Sequence, residues 1–424
     1  MKIQSLRAQE ILDSRGRPTV KAWCTLEGGA TASASVPSGA STGQAEAAEL
    51  RDGDASRYQG LGCREAVANI VGPILSSIGN RSFSDQPSLD KALVELDGTP
   101  NKSRLGANAI LATSLACARA DAAQRGLPLH RHFSGLLGAE RSVLPRPTIN
   151  LFSGGKHAGG QVAFQDVLIV PIAADSIDEC LETACAIYRS AAALSAKKYG
   201  VRALKADEGG LAPPFPGTEA MLADAVDAIS DAGFRPGTDV ALAVDVASTH
   251  FHEAGTYHLD GKSLTSTQMI DELVRLAVTY PIVSVEDGLA EDDWGHWPDL
   301  YRALSPRALV LGDDLLCTNP SRIRRAIESR SASALLLKVN QVGTVSEALE
   351  SCRLARQAGW QVTVSARSGE TEDDWLADLA TACGDQIKVG SINQSERLAK
   401  YNRLLEIESQ SDLRLAPWAI PSLS

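Results

Sequence analysis

An aspartate, a glutamate, a second aspartate, a lysine, an arginine with a serine, and another lysine end six successive apolar runs in the second half of this chain. The runs are Val240 to Asp245 (VALAVD), Ile282 to Glu286 (IVSVE), Ala308 to Asp313 (ALVLGD), Ala334 to Lys338 (ALLLK), Trp360 to Ser368 (WQVTVSARS) and Gln386 to Lys388 (QIK). Oxygen-only ligands in the order Asp245, Glu286, Asp313 suit a hard cation such as magnesium. Arg367 with Ser368 can fork onto a phosphate, and Lys388 can hold a carboxylate beside the metal. Lys338 reads two ways. It either snorkels to water or sits among cations that lower its pKa until it can take a proton from a carbon next to a carboxylate. A metal that stabilises the doubly charged enediolate makes the second reading workable. The chemistry suggested is proton abstraction alpha to a carboxylate, on a small and multiply anionic substrate.

Three further stretches carry candidate groups. In FSGGKHAGGQVAFQDVLIV, Phe152 to Val170, glycines flank His157, and the strand that follows carries Gln165 and Asp166. Such flanks suit a mobile lid that brings His157 over a ligand. In LKADEGGLAPP, Asp207 and Glu208 precede two glycines. They read either as solvated turn acids or as a general acid displayed beside a barrel mouth. The small residues from Ser38 to Gly43 form either a plain surface loop or one whose amides and hydroxyls close over a phosphate or metal.

Most of the six runs are separated by roughly twenty residues of largely helical pattern, as in Asn319 to Ala332 and Thr344 to Ala358. Strand then helix, repeated, is the signature of a parallel (β/α) barrel, in which functional residues gather at the carboxyl ends of strands. The first 35 residues alternate as an antiparallel meander, and Arg64 to about Gly126 reads as helical. The two prolines of LPRPTINL, Leu144 to Leu151, suggest a joint. The expected division is an α+β domain over residues 1–139 and a barrel over 140–424.

Composition limits the partners. Over 424 residues the net charge is -11, with 44% hydrophobic and 22% charged residues. That balance argues against nucleic acid and anionic membranes. The amino terminus, MKIQSLRAQEILDSRG, lacks the apolar core of a signal peptide and no run matches a membrane span, so a cytoplasmic protein is expected. The eight cysteines are scattered with no CxxC pair, which suits buried reduced thiols.

The sequence resembles the enolase (phosphopyruvate hydratase) family over essentially its whole length. The matching stretches include ILDSRGRPTV (11 to 20), PSGASTG (37 to 43), ELRDGD (49 to 54), NKSRLGANAILA (101 to 112), GGKHA (154 to 158), DEGG (207 to 210), SVEDGL (284 to 289), GDDLLCTN (312 to 319), LLLKVNQ (335 to 341), RSGETED (367 to 373) and SERLAKYN (395 to 402). The resemblance implies an α/β chain with a small α+β domain before a modified (β/α)8 barrel, two magnesium ions, and a homodimer or larger assembly. It implies Asp245, Glu286 and Asp313 as ligands of one magnesium and Ser41 as a ligand of the second. It makes Lys338 the base for the C2 proton of 2-phosphoglycerate, and Glu208 the acid assisting loss of the C3 hydroxyl. Arg367 and Ser368 become phosphate contacts, Lys388 the carboxylate contact, and His157 and Gln165 lid and substrate contacts.

Departures accompany the matches. The family's SHRSGETED is SARSGETED here, so Ala366 replaces a histidine, and the family's glutamate after the lid glutamine is Asp166. Ala206, Pro214, His250 and Gln394 also differ from the family pattern. The pattern resembles the carboxyphosphonoenolpyruvate synthases of phosphonate pathways, which attach a carboxyphosphono group to the enolpyruvate oxygen. That resemblance implies a second, phosphonate substrate. The alternatives are ordinary hydratase activity and a non-catalytic enolase-like binding protein.

Overall fold

Three antiparallel strands open the chain: β1 (Ile3–Leu12), β2 (Pro18–Leu26) and β3 (Thr31–Ser35). In β2, Val20, Ala22, Cys24 and Leu26 are buried while Lys21, Trp23 and Thr25 are only partly so, the alternation of a sheet covered on one face. Helix Ala107–Gln124 packs on β2 and β3, and its many alanines permit a close approach. The computed structural model describes residues 1–39, 43, 45–138 and 142–418.

The barrel takes β4 (Arg146–Ser153), β5 (Asp166–Val170) and β6 (Ala241–Asp245) from the first part of the remaining chain. A separate three-stranded sheet follows, made of β7 (His252–Glu253), β8 (Thr256–Leu259) and β9 (Lys262–Leu264). Then come β10 (Ile282–Glu286), β11 (Leu309–Gly312), β12 (Ala334–Leu337), β13 (Gln361–Ser365) and β14 (Gln386–Lys388). The eight barrel strands close in the order β4, β5, β6, β10, β11, β12, β13, β14 and back to β4. Helices Pro320–Ser329 and Val345–Gln357 fill the expected places after β11 and β12. Their amino ends are capped by Asn319, which accepts from Ser321 N at 2.9 Å, and by Thr344, which accepts from Glu347 N at 3.2 Å.

Two expectations are corrected. The barrel is not parallel throughout, because β5 runs antiparallel to both β4 and β6. Residues 154–165 hold only the short 3-10 turn Gly155–Ala158, too little for a crossover helix, so the chain returns as a hairpin. Between β5 and β6, helices Ile177–Tyr199 and Thr218–Asp231 carry the chain out and back to the same end of the barrel. The second correction concerns Leu144 to Leu151, which supplies β4 rather than a joint. Pro147 lies near the start of that strand, where a missing N–H disturbs the ladder least.

The amino-terminal layer is fastened to the barrel by hydrogen bonds near the mouth. Ala47 N donates to Gln341 O at 2.8 Å, and Asp90 Oδ2 accepts from Ser346 N at 2.9 Å and Ser346 Oγ at 2.6 Å. All eight cysteines are free, and Cys185 alone is not fully buried. Among the described residues no helix is long and apolar enough to cross a membrane.

Candidate active site

The strand ends bring the six groups to one mouth. Asp245, Glu286 and Lys388 are the last residues of β6, β10 and β14, Asp313 and Lys338 directly follow β11 and β12, and Arg367 with Ser368 lies just past β13. Apolar side chains bury each strand up to its final residue, which leaves the charged group at the rim. Acids and lysines interleave there. Lys388 Nζ donates to Asp245 Oδ2 at 2.9 Å and Glu286 Oε2 at 2.7 Å, and Lys338 Nζ pairs with Asp313 Oδ2.

These pairs set the protonation. Burial works against charge on Asp245, but Lys388 pulls it down to about 2. Glu286 is pushed well above the usual carboxylate range by burial and by Asp245. Lys338 differs from expectation. Burial, Arg367 and Lys388 push its ammonium down, but the direct contact with Asp313, helped by Glu286, raises it. The expected lowering by neighbouring cations is thus reversed, because a carboxylate touches Nζ and the cations do not.

A second wall faces this row. His157 Nδ1 lies 3.0 Å from Asp166 Oδ2, and Ser153 Oγ donates to Asp166 Oδ1 at 2.5 Å. Asn150 Nδ2 donates to Glu208 Oε2 at 3.1 Å. His157, Asp166 and Glu208 bring side-chain atoms within 4.8 Å of one another. The choice left open between the two turn acids is resolved, since Asp207 is exposed and Glu208 is buried. Burial pushes the His157 imidazole down, but the charges of Asp166 and Glu208 outweigh it and hold it up at about 9. Glu208 is opposed by burial yet lowered by His157, Arg397 and the two lysines. Gln165 Nε2 donates to Asp245 Oδ2 at 3.1 Å and so joins the two walls.

Arg367 forms the third part of the mouth. Its Nη1 donates to Glu46 Oε2 at 3.0 Å and Asn340 Oδ1 at 2.9 Å, and its Nη2 to Glu46 Oε1 at 3.2 Å. Gly39 lies against the same guanidinium, and a Cβ there would meet Nη2 at 2.1 Å, so any side chain at this position would displace the Arg367 fork. Ser368 Oγ accepts from Arg15 Nη1 at 3.2 Å. Ser41 lies outside the described residues. Ala366 N donates to Lys388 O at 2.9 Å, and Ala366 itself is buried within the apolar core just before Arg367. His250 has a buried Nδ1 without a protein partner, and burial and Lys156 push it down to about 4.

Several members of the site were missed from sequence. Gln341 Nε2 donates to Asp313 Oδ1 at 2.9 Å, and its place three residues after Lys338 on the same run was a usable signal. Glu46, Ser153 and Asn150 gave no signal, since each is an ordinary polar residue whose partner is set by the fold.

The donor types fit a hard divalent cation, but in this structure the three carboxylates are paired with Lys388 and Lys338 and their ligand atoms are not all gathered within 4.8 Å of one another. Asp245, Glu286 and Asp313 offer only oxygens, and Glu286 Oε1 is buried with no protein partner. Asp313 also lies within 4.8 Å of Asp287 and Asp314. Asp287, however, is engaged by the backbone, accepting from Asp313 N at 3.0 Å and Asp314 N at 2.7 Å. Of these carboxylates, Asp245, Glu286 and Asp313 are the ones paired with Lys338 and Lys388.

Family comparison agrees with this geometry. Residues 3–133 match the family model for the enolase N-terminal domain, and residues 141–415 match that for the enolase C-terminal TIM barrel domain. The two matches take in the meander, the barrel and every strand end described above, and with them the chain belongs to the enolase family, a member of a superfamily of enzymes.

Proposed function

We propose that this enzyme removes the C2 proton of 2-phosphoglycerate with Lys338 and passes the resulting enolate to a carboxyphosphonoenolpyruvate synthase type of second step. The observation that carries the first half is the interleaved row at the mouth, Lys338 on Asp313 and Lys388 on Asp245 and Glu286. Lys388 presents positive charge to a substrate carboxylate, while Arg367 and Ser368 take the phosphate. Asp245, Glu286 and Asp313 would hold magnesium, which would supply charge against the substrate carboxylate, and Asp313, engaged as a ligand, would no longer hold the Lys338 ammonium. Lys338, then neutral, accepts the proton at Nζ. Glu208, with His157 and Asp166 beside it, faces the departing C3 hydroxyl from the opposite wall.

The second half rests on Ala366. Replacing the family's imidazole by the Ala366 methyl, one residue before Arg367, removes the side-chain volume that a second anion would need to take. With phosphonoformate as that anion the reaction balances: 2-phosphoglycerate and phosphonoformate give carboxyphosphonoenolpyruvate, inorganic phosphate and water. The enol oxygen exchanges its bond to phosphate for a bond to the phosphonate phosphorus, and the phosphonate hydroxyl leaves with the phosphate.

Ordinary hydration and dehydration is the second reading, favoured by the reach of His157 and Ser153 to the shortened Asp166. Proton NMR with magnesium and 2-phosphoglycerate in deuterated water separates the two. The synthase reading expects the C2 proton signal to disappear with little phosphoenolpyruvate formed until phosphonoformate is added. Rapid phosphoenolpyruvate formation without phosphonoformate would decide for the hydratase. Retention of the C2 proton would remove Lys338 from the base role.

A further inference from the structure

Helix Ser395–Ser409 begins beneath the mouth with two buried cations that the proposed reaction does not use, Arg397 and Lys400. The Arg397 side chain is 0% exposed. Its Nη1 donates to Arg367 O at 2.8 Å and its Nη2 to Ser368 O at 2.7 Å. Nη1 also reaches Val389 O, the carbonyl after Lys388, at 3.4 Å. One planar fork thus spans the loop that follows β13 and the end of β14.

Nothing slack surrounds that fork. At Gly390, with φ +102, a Cβ would come 2.8 Å from Glu208 O and 3.0 Å from Arg397 Cδ. Ser391 N donates to Glu208 O at 2.8 Å, so the same segment also backs the turn that carries Glu208. Lys400 Nζ tethers the far end of the loop independently, through Thr371 O at 2.5 Å and Glu370 Oε2 at 3.0 Å.

We propose that Arg397 is a positioning residue that fixes the distance between the phosphate contacts Arg367 and Ser368 and the carboxylate contact Lys388. The site is thereby matched to substrates carrying phosphate and carboxylate on the same carbon. This assignment rests on the substrate reading above. A guanidinium can hold two carbonyls at a set angle, whereas an ammonium is a point charge and cannot. Spacing set this way acts on ground state and transition state alike, so its loss appears in KM more than in kcat.

Arg397→Lys keeps the buried charge and removes the fork. Its KM for 2-phosphoglycerate in C2 proton exchange should rise at least about tenfold, with kcat changed less than about threefold, the split expected when uniform binding is lost. Preference for 2-phosphoglycerate over 3-phosphoglycerate as competing ligands should fall by a similar factor. Affinity for inorganic phosphate, read by phosphorus NMR titration, should weaken as well. Arg397→Gln, which can hold only one carbonyl, supplies the same comparison if the lysine variant does not fold. A folded variant with unchanged KM, ligand preference and phosphate affinity would overturn the positioning role. Absence of C2 exchange in the unsubstituted enzyme would instead sink the reaction reading, and the phosphate titration would still decide on Arg397.

Discussion

Asp166 and Asp245 are register partners across β5 and β6, although one opens its strand and the other closes it. The reversal of β5 places both carboxylates at the same mouth, and different neighbours then set them apart. Asp245 faces Lys388 and Gln165 and is held at about 2 despite burial, whereas burial pushes Asp166 up while His157 and Ser153 hold it. Two carboxylates on adjacent strands are thereby sorted into a permanently charged group and one tied to a proton carrier.

The His157 and Asp166 pair predicts an alkaline limit on the contact between the glycine-flanked loop and β5. The folded imidazole sits at about 9 against an ordinary 6.5. A raised value means that the stabilisation is complete below 6.5 and is lost as the pH rises through about 9. The His157 ring signals in carbon-proton NMR should therefore titrate near 9, and Asp166→Asn should bring the midpoint down. A midpoint near 6.5 in the unsubstituted protein would mean that the pair does not form in solution.

Restoring the imidazole tests the part played by Ala366. Ala366→His should raise phosphoenolpyruvate formation from 2-phosphoglycerate by about 100-fold, the lower end of the range of a general acid-base group. The same substitution should weaken use of phosphonoformate. If both rates stay as they were, the space beside Arg367 has no bearing on the product.

Magnesium should stabilise the fold through Glu286, whose buried Oε1 has no protein partner. At a hundred times its dissociation constant, a ligand specific to the native state contributes about 2.7 kcal/mol. Calorimetry should show Tm rising with magnesium and returning with chelator, and Glu286→Gln should lose most of the rise. An equal rise in that variant would place the ion elsewhere.

Asp90 makes stability depend on pH at the seam between the amino-terminal layer and the barrel. Burial pushes its carboxyl up to about 6, against bonds from Ser346, Ser114 and Gln86 that lower it. A raised acid favours the folded state when protonated, so its contribution is greatest below 3.8 and is lost as the pH rises through about 6. The swing is about 3 kcal/mol for roughly two pKa units. Urea unfolding of Asp90→Asn beside the unsubstituted protein should show the difference growing from pH 4 to 6. Parallel curves would assign the pH dependence to other groups.

Much of the site was legible because apolar runs end in charged residues. Asp245, Glu286 and Lys388 could be placed from that grammar alone, and the helices beginning after Asn319 and Thr344 from their caps and periodicity. The direction of β5 was not legible, since a run such as DVLIV reads the same whichever way its neighbours run. Pro147 hid β4, because proline is more often a sign of a joint than of a strand. Glu46 reaches Arg367 across 321 residues of chain, and nothing local distinguishes it from Glu49. Lys338 shows the limit most clearly: its position was readable, but its charge state depends on whether Asp313 or a cation is its nearest neighbour.

The hairpin formed by β4 and β5 bears on how the lid and the barrel move. Both stems of the loop that carries His157 are staves of the closed barrel, and Ser153 and Asp166 pair at its base. Both stems are thereby fixed in the closed barrel, and the spacing among Asp245, Glu286 and Lys388 is set by the strands rather than by the loop. A change in the glycine-flanked segment would therefore leave the strand ends in place and act on the site through His157, whose charge lowers Asp245 and Glu208.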